Sequence, residues 1–92
     1  MKQIRFMVSG GVHGVNHRSS SAKKAKDLGL RGFIRNTRMG VEVLVEGKEK
    51  GINEFLLFCQ NNPGHSNVKN LEIKEEKEIS CFSFNTFEIR YF

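Results

Sequence analysis

The chain has no tryptophan, one proline and two cysteines in 92 residues. Cys59 and Cys81 form no CxxC pattern, which excludes a metal site of the zinc-ribbon type. They read as reduced thiols of a cytoplasmic protein, with a disulfide as the alternative. No apolar run approaches the roughly 18 residues of a membrane span. The N-terminal run Phe6-Met7-Val8 is also far shorter than the core of a signal peptide. There is no internal repeat, linker or low-complexity segment, and a chain this short buries one core rather than two. One domain over 1–92, cytoplasmic and away from membranes, is the expectation.

Eight phenylalanines and a hydrophobic fraction of 38% suit a compact fold. A formal charge of +5 admits anionic partners, although Lys23, Lys24 and Lys26 belong on the solvated face of a helix. Ile4, Phe6 and Val8 alternate with Arg5, Met7 and Ser9, which predicts a half-buried strand over 3–9. Glycines at 10, 11 and 14 end it. A helix follows over 18–28, with Ser21, Ala25 and Leu28 on one face. Asn16 is its candidate N-cap and Gly29 its stop.

Strands over 32–38 and 41–46 meet at a turn near Met39-Gly40, with Val41, Val43 and Val45 on one face and Glu42 and Glu46 opposite. Ile52, Phe55, Leu56 and Cys59 mark a second helix, closed by Asn61-Asn62-Pro63-Gly64. A strand over 68–75 carries Leu71 and Ile73, and 74–78 reads as its solvated end or a loop. Phe87, Ile89 and Tyr91 alternate in a last strand. The order βαββαβ, with the fourth strand region open to being split from the terminal one, defines an α+β, ferredoxin-like sandwich. Its antiparallel sheet carries two helices on one face.

That architecture hosts many functions, so the site must come from residues. A glycine-rich loop running from a strand into a helix N-terminus points several backbone N–H groups at one place, where the helix dipole adds positive charge. Such a nest suits a tetrahedral oxyanion. Arg18, in the first helical turn, adds a guanidinium able to hold two phosphate oxygens. The lysine and hydroxyl of a GxxxxGK[ST] loop are absent, so this is no Walker nucleotide site. His13 and His17 lie four apart, but they straddle Gly14 in a loop with no third ligand nearby, so no metal is expected.

The residues from Val8 to Arg18 resemble the first signature of the acylphosphatase family, VxGxVQGVxFR. Ala25, Leu28, Gly29 and Leu30 fall where that family has A-x-x-LGL. Gly32-Phe33-Ile34-Arg35-Asn36 resembles its second signature, G-[FYW]-V-x-N. Gly40–Gly47 follows GxVEVxxEG with one residue fewer, and Phe87–Tyr91 resembles the family's closing strand. The resemblance implies that Arg18 binds the phosphoryl group and that Asn36 positions the attacking water. It also implies that Gly11, Val12, His13, Gly14, Val15, Asn16 and His17 form the amide cradle, with no metal or other cofactor. His13 stands where glutamine is usual, and His17 where phenylalanine is usual. A histidine at 17 should pack less well and titrate near neutral pH. Asn16 is uncommon at its variable position, and the shortened turn before Val41 bears on the placement of Asn36.

Acyl phosphates leave little chemistry to be done. The leaving carboxylate has a conjugate-acid pKa of roughly 4 to 5 and needs no general acid. What remains is to hold the phosphoryl group, neutralise its oxygens and aim a water. Asn36 can both accept from and donate to that water. The expected function is hydrolysis of a small-molecule acyl phosphate by a monomer that binds no nucleic acid. The alternatives are a catalytically weak, acylphosphatase-like binder of phosphorylated ligands, and an RNA-binding ferredoxin-like module. The RNA reading rests on Arg31-Gly32-Phe33, which echoes the start of an RNP1 motif but falls on the second strand and lacks the remaining aromatics.

Overall fold

The computed structural model describes residues 1–11, 17–61 and 67–91. Its elements are β1 (Lys2–Gly11), α1 (His17–Asp27), β2 (Arg31–Thr37), β3 (Gly40–Gly47), α2 (Glu49–Gln60), β4 (Asn67–Glu78) and β5 (Phe87–Arg90). The predicted N-cap, Asn16, lies outside the described residues, as do Asn62, Pro63 and Gly64 of the predicted helix stop.

The alternation read in the sequence becomes one buried sheet face. β3 runs antiparallel to both β1 and β2, pairing Ile4 with Val45, Phe6 with Val43 and Val8 with Val41 on one side, and Ile34 with Val43 on the other. Directly opposed residues share a face, and all seven of these are buried. The buried hydrophobic residues of both helices join the same core. Phe55 of α2 meets Phe6 and Phe87 edge-on, with ring centroids 6.2 and 5.9 Å apart. Each such aromatic pair adds about 0.5–1.5 kcal/mol beyond its area burial.

α1 lies on this sheet by small residues: apart from His17, its buried side chains are Ser21, Ala22 and Ala25. It stops as predicted. Gly29 takes a left-handed conformation at φ 72°, its N–H donates to the Lys26 carbonyl at 3.0 Å, and the Leu30 N–H donates to the Ala25 carbonyl at 2.9 Å. These bonds form a Schellman cap. Gly32 and Gly40 permit close strand approach: both have positive φ, and a Cβ on either would strike the carbonyl oxygen of Leu44 or of Val8.

Two features extend the expected topology. β4 continues through the charged stretch to Glu78, with a register shift opposite Arg5 and Phe6. β5 is a strand distinct from β4 and lies parallel to β2. The sheet is therefore five-stranded and mixed, in the order β4-β1-β3-β2-β5. The alternation of Phe87 and Ile89 identified the strand but carried no information about its direction.

Between β4 and β5 the chain crosses the sheet face opposite the helices. Glu46, predicted on the face opposite the valines, is completely buried beneath this crossing. Its carboxylate accepts from Gln3 Nε2 at 2.8 Å and from the backbone N–H groups of Ser83 and Phe84 at 2.7 and 3.1 Å. Arg31 donates to the Phe84 carbonyl at 3.2 Å, and its guanidinium lies 3.9 Å from the ring centroid of Phe82. A buried carboxylate persists because it is so bonded. Glu46→Ala strands two backbone donors, so it is expected to lower unfolding stability by about 1–3 kcal/mol. In thermal melts of a domain this size that corresponds to about 4–8 °C per kcal/mol. An unchanged midpoint would show that the crossing is held otherwise.

Candidate active site

The register places Asn36. It pairs with Val41, which pairs in turn with Val8, so Val8, Val41 and Asn36 form a row across three strands on the helix-bearing face. This row sits at the end of the sheet where β1 passes into the glycine-rich segment. There β1 is irregular: its pairing with β4 shifts between Ser9 and Gly10, and Gly10 has φ 119°. The shortened turn before Val41 is tightly made, with Thr37 Oγ1 donating to the Gly40 carbonyl at 3.0 Å and accepting from the Met39 N–H at 3.2 Å.

Asn36 Oδ1 is buried and has no hydrogen-bond partner among the described residues. Leaving a buried acceptor unpaired costs about 1–3 kcal/mol, and such atoms in folded proteins are completed by water or ligand. Arg18, the second residue of α1, is half-buried. Arg5, Arg35 and Arg90 each pair with glutamate, whereas Arg18 pairs with no carboxylate among the described residues. Its guanidinium instead lies over the ring of Tyr91, 5.1 Å from the centroid. Tyr91 follows Arg90, the last residue of β5 paired with β2, opposite Arg35. One step further along both strands brings Tyr91 level with Asn36. The fold thus gathers Arg18, Asn36 and Tyr91 at one end of the helix-bearing face.

Of the expected amide cradle, Gly11 closes β1 and His17 opens α1. Val12, His13, Gly14, Val15 and Asn16 lie outside the described residues. The His17 side chain does not face the solvent: it is 1% exposed. Neither ring nitrogen has a hydrogen-bond partner of good geometry among the described residues. Burial lowers its pKa below the ordinary value of 6.5, opposed by the nearby Cys59 carbonyl, which favours the charged form. The neutral-range titration expected from its sequence position is therefore displaced to lower pH.

Cys59 is buried beside Ser21, to whose hydroxyl its thiol donates at 3.7 Å. Burial pushes its pKa up to about 12, so it is no thiolate nucleophile at neutral pH. Both cysteines are free, and Cys81 is exposed. A cleft of about 430 Å³ lies at the other end of α1, lined by Leu28, Gly29, Gly51 and Phe82 among others. It is remote from the Arg18 end.

Fold and candidate site together define an α+β protein of ferredoxin-like architecture, with an arginine and an asparagine toward the end of the sheet at which β1 closes. A model of the acylphosphatase family matches residues 4–89. The chain is 38% identical to an acylphosphatase of Methylococcus capsulatus, covering 82% of this chain and 83% of that one. An acylphosphatase structure from Bacillus subtilis superposes with a TM-score of 0.89 at 32% identity, covering 99% of this chain and 100% of that one. One from Coxiella burnetii superposes at 0.82 and 31%, covering 97% and 92%. The chain belongs to the acylphosphatase family, a family of hydrolases.

The buried imidazole gives a stability test. Its folded pKa lies below its unfolded value, so the unfolded chain takes up the proton first. The stability of the neutral form is complete above about pH 6.5 and is lost as pH falls through the folded value. His17→Phe removes the titration, and its stability advantage over the parent is expected to grow between pH 7 and pH 5 in denaturant unfolding. A constant difference across that range would place the charge of His17 outside the stability balance.

Proposed function

We propose that this chain hydrolyses the carboxyl–phosphate bond of small acyl phosphates, giving a carboxylate and inorganic phosphate. Family membership supports the reaction class. The observation that carries the residue assignment is Asn36, whose buried Oδ1 lacks a partner among the described residues at the end of the sheet to which α1 brings Arg18.

In this reading Arg18 and the backbone N–H groups of residues 11–17 bind the phosphoryl oxygens. The side chain of His17 is buried, so its contribution comes from its backbone. The Asn36 amide holds a water in line with the scissile bond. The water oxygen attacks phosphorus, the bond from phosphorus to the acyl oxygen breaks, and the carboxylate departs with the electron pair. Both water protons stay with the phosphate product, which releases one to solvent near neutral pH. The carboxylate leaves unassisted, so the step needs neither a general acid nor a metal, and no cofactor takes part. The protein acts as a single-domain monomer in the cytoplasm, without nucleic-acid or membrane partners.

The purified protein is expected to release phosphate from benzoyl phosphate in the presence of EDTA, with inorganic phosphate as a competitive inhibitor. Asn36→Ala should lower kcat by about 100-fold or more while phosphate still inhibits. Arg18→Gln should raise KM and the phosphate inhibition constant as well as lowering turnover. Phosphate binding without turnover in the parent would replace hydrolysis by the binding of phosphorylated ligands.

A further inference from the structure

Arg18 meets no carboxylate among the described residues, whereas Arg5, Arg35 and Arg90 each pair with glutamate. Its described partner is an aromatic face. This difference matters for what the guanidinium can still do. A carboxylate partner would occupy the N–H fork and neutralise the charge. An aromatic ring does neither: it attracts the cation through its quadrupole and leaves the in-plane donors available. We propose that Tyr91 is a positioning residue, its ring holding the Arg18 guanidinium at the rim of the phosphate site with its donors free for the phosphoryl oxygens. This rests on the reading of Arg18 as the phosphoryl-binding residue.

The position of Tyr91 follows from the fold. Phe87 and Ile89 point to the helix side and pack in or against the core, and alternation carries Tyr91 to the same side, beyond the end of β5. Tyr91 is 78% exposed, so it contributes little to core packing. An ordering role for Arg18 explains why the ring lies at a half-buried guanidinium. A long side chain at a helix start otherwise samples many rotamers, and each phosphate bond it makes must offset that lost freedom. A ring that restricts the arginine beforehand reduces the loss on binding.

The test uses Tyr91→Phe, Tyr91→Leu, Arg18→Gln and the double variant Arg18→Gln/Tyr91→Leu. Phosphate affinity is read by NMR titration with inorganic phosphate, and turnover with benzoyl phosphate. Tyr91→Leu is expected to weaken phosphate binding about two- to fivefold, the range of an exposed cation–π contact. The larger kinetic effect should fall on KM rather than kcat, with the thermal midpoint unmoved. Tyr91→Phe keeps the ring and restores the parent's affinity. In the Arg18→Gln background, Tyr91→Leu adds no further loss.

Unaltered affinity in Tyr91→Leu overturns the proposal. So does a loss that persists undiminished without Arg18, or one that Tyr91→Phe shares in full. A parent that binds phosphate with this mutational pattern but hydrolyses nothing overturns the hydrolase reading and leaves the positioning role standing. A parent that binds no phosphate overturns both.

Discussion

The register between β1, β3 and β2 is the constraint on which the site depends. Side chains alternate faces along a strand, so slipping β2 by one residue against β3 would turn Asn36 to the face away from the helices. The slip is opposed by the whole buried row. It would also expose Ile34 and carry Gly32 out of the place where its missing Cβ lets the Leu44 carbonyl approach. Apolar burial at about 25 cal/mol per Å², repeated along three strands, thus fixes the direction of one amide that is itself left without a partner among the described residues. Stability in the core supports an unsatisfied group at the rim.

The opposite face of the sheet is organised by charge. Glu46 anchors the segment crossing from β4 to β5, and that crossing delivers β5 to the far edge beside β2. Without it there would be no fifth strand to carry Tyr91 to the level of Asn36. Nearer the site end of the same face, Glu42 bridges Arg5 and Arg35 at 3.2 and 2.6 Å. These arginines are thereby committed on the face away from the helices, while Arg18 on the helix side meets the ring of Tyr91 and no carboxylate among the described residues.

Much of this was legible in the sequence, for a physical reason. Period-two and helical repeats report which side of an element is buried, and β1, β3, both helices and the Gly29 stop follow from them. The burial of Glu46 was not legible, because alternation places it on the outer face and says nothing of a distant segment laid across that face. The direction of β5 was hidden for a similar reason: strand pairing is set by the path of the chain, and local pattern does not record it. Motif spacing singles out Arg18 and Asn36 as candidates. Tyr91 was seen as a strand residue only, since its nearness to Arg18 exists only once β5 lies beside β2. The burial of His17 did have a signal. Stepping back four residues from Ser21 along the face of Ser21 and Ala25 reaches it.

That helical phase links the family departure at position 17 to the residue beside it. An α-helix turns about 100° per residue, so a buried side chain at 17 determines the direction taken by the side chain at 18. With His17 buried near Cys59 of α2, and Ser21 and Ala25 continuing the same inner stripe, Arg18 is turned from the core to the rim, where Tyr91 meets it. A phenylalanine at 17 would serve this purpose with no polar atoms to satisfy. The histidine serves it while neutral, and its two nitrogens add a cost that rises when a proton is taken up. The buried histidine therefore bears on the direction of Arg18 through the seating of the first turn of α1.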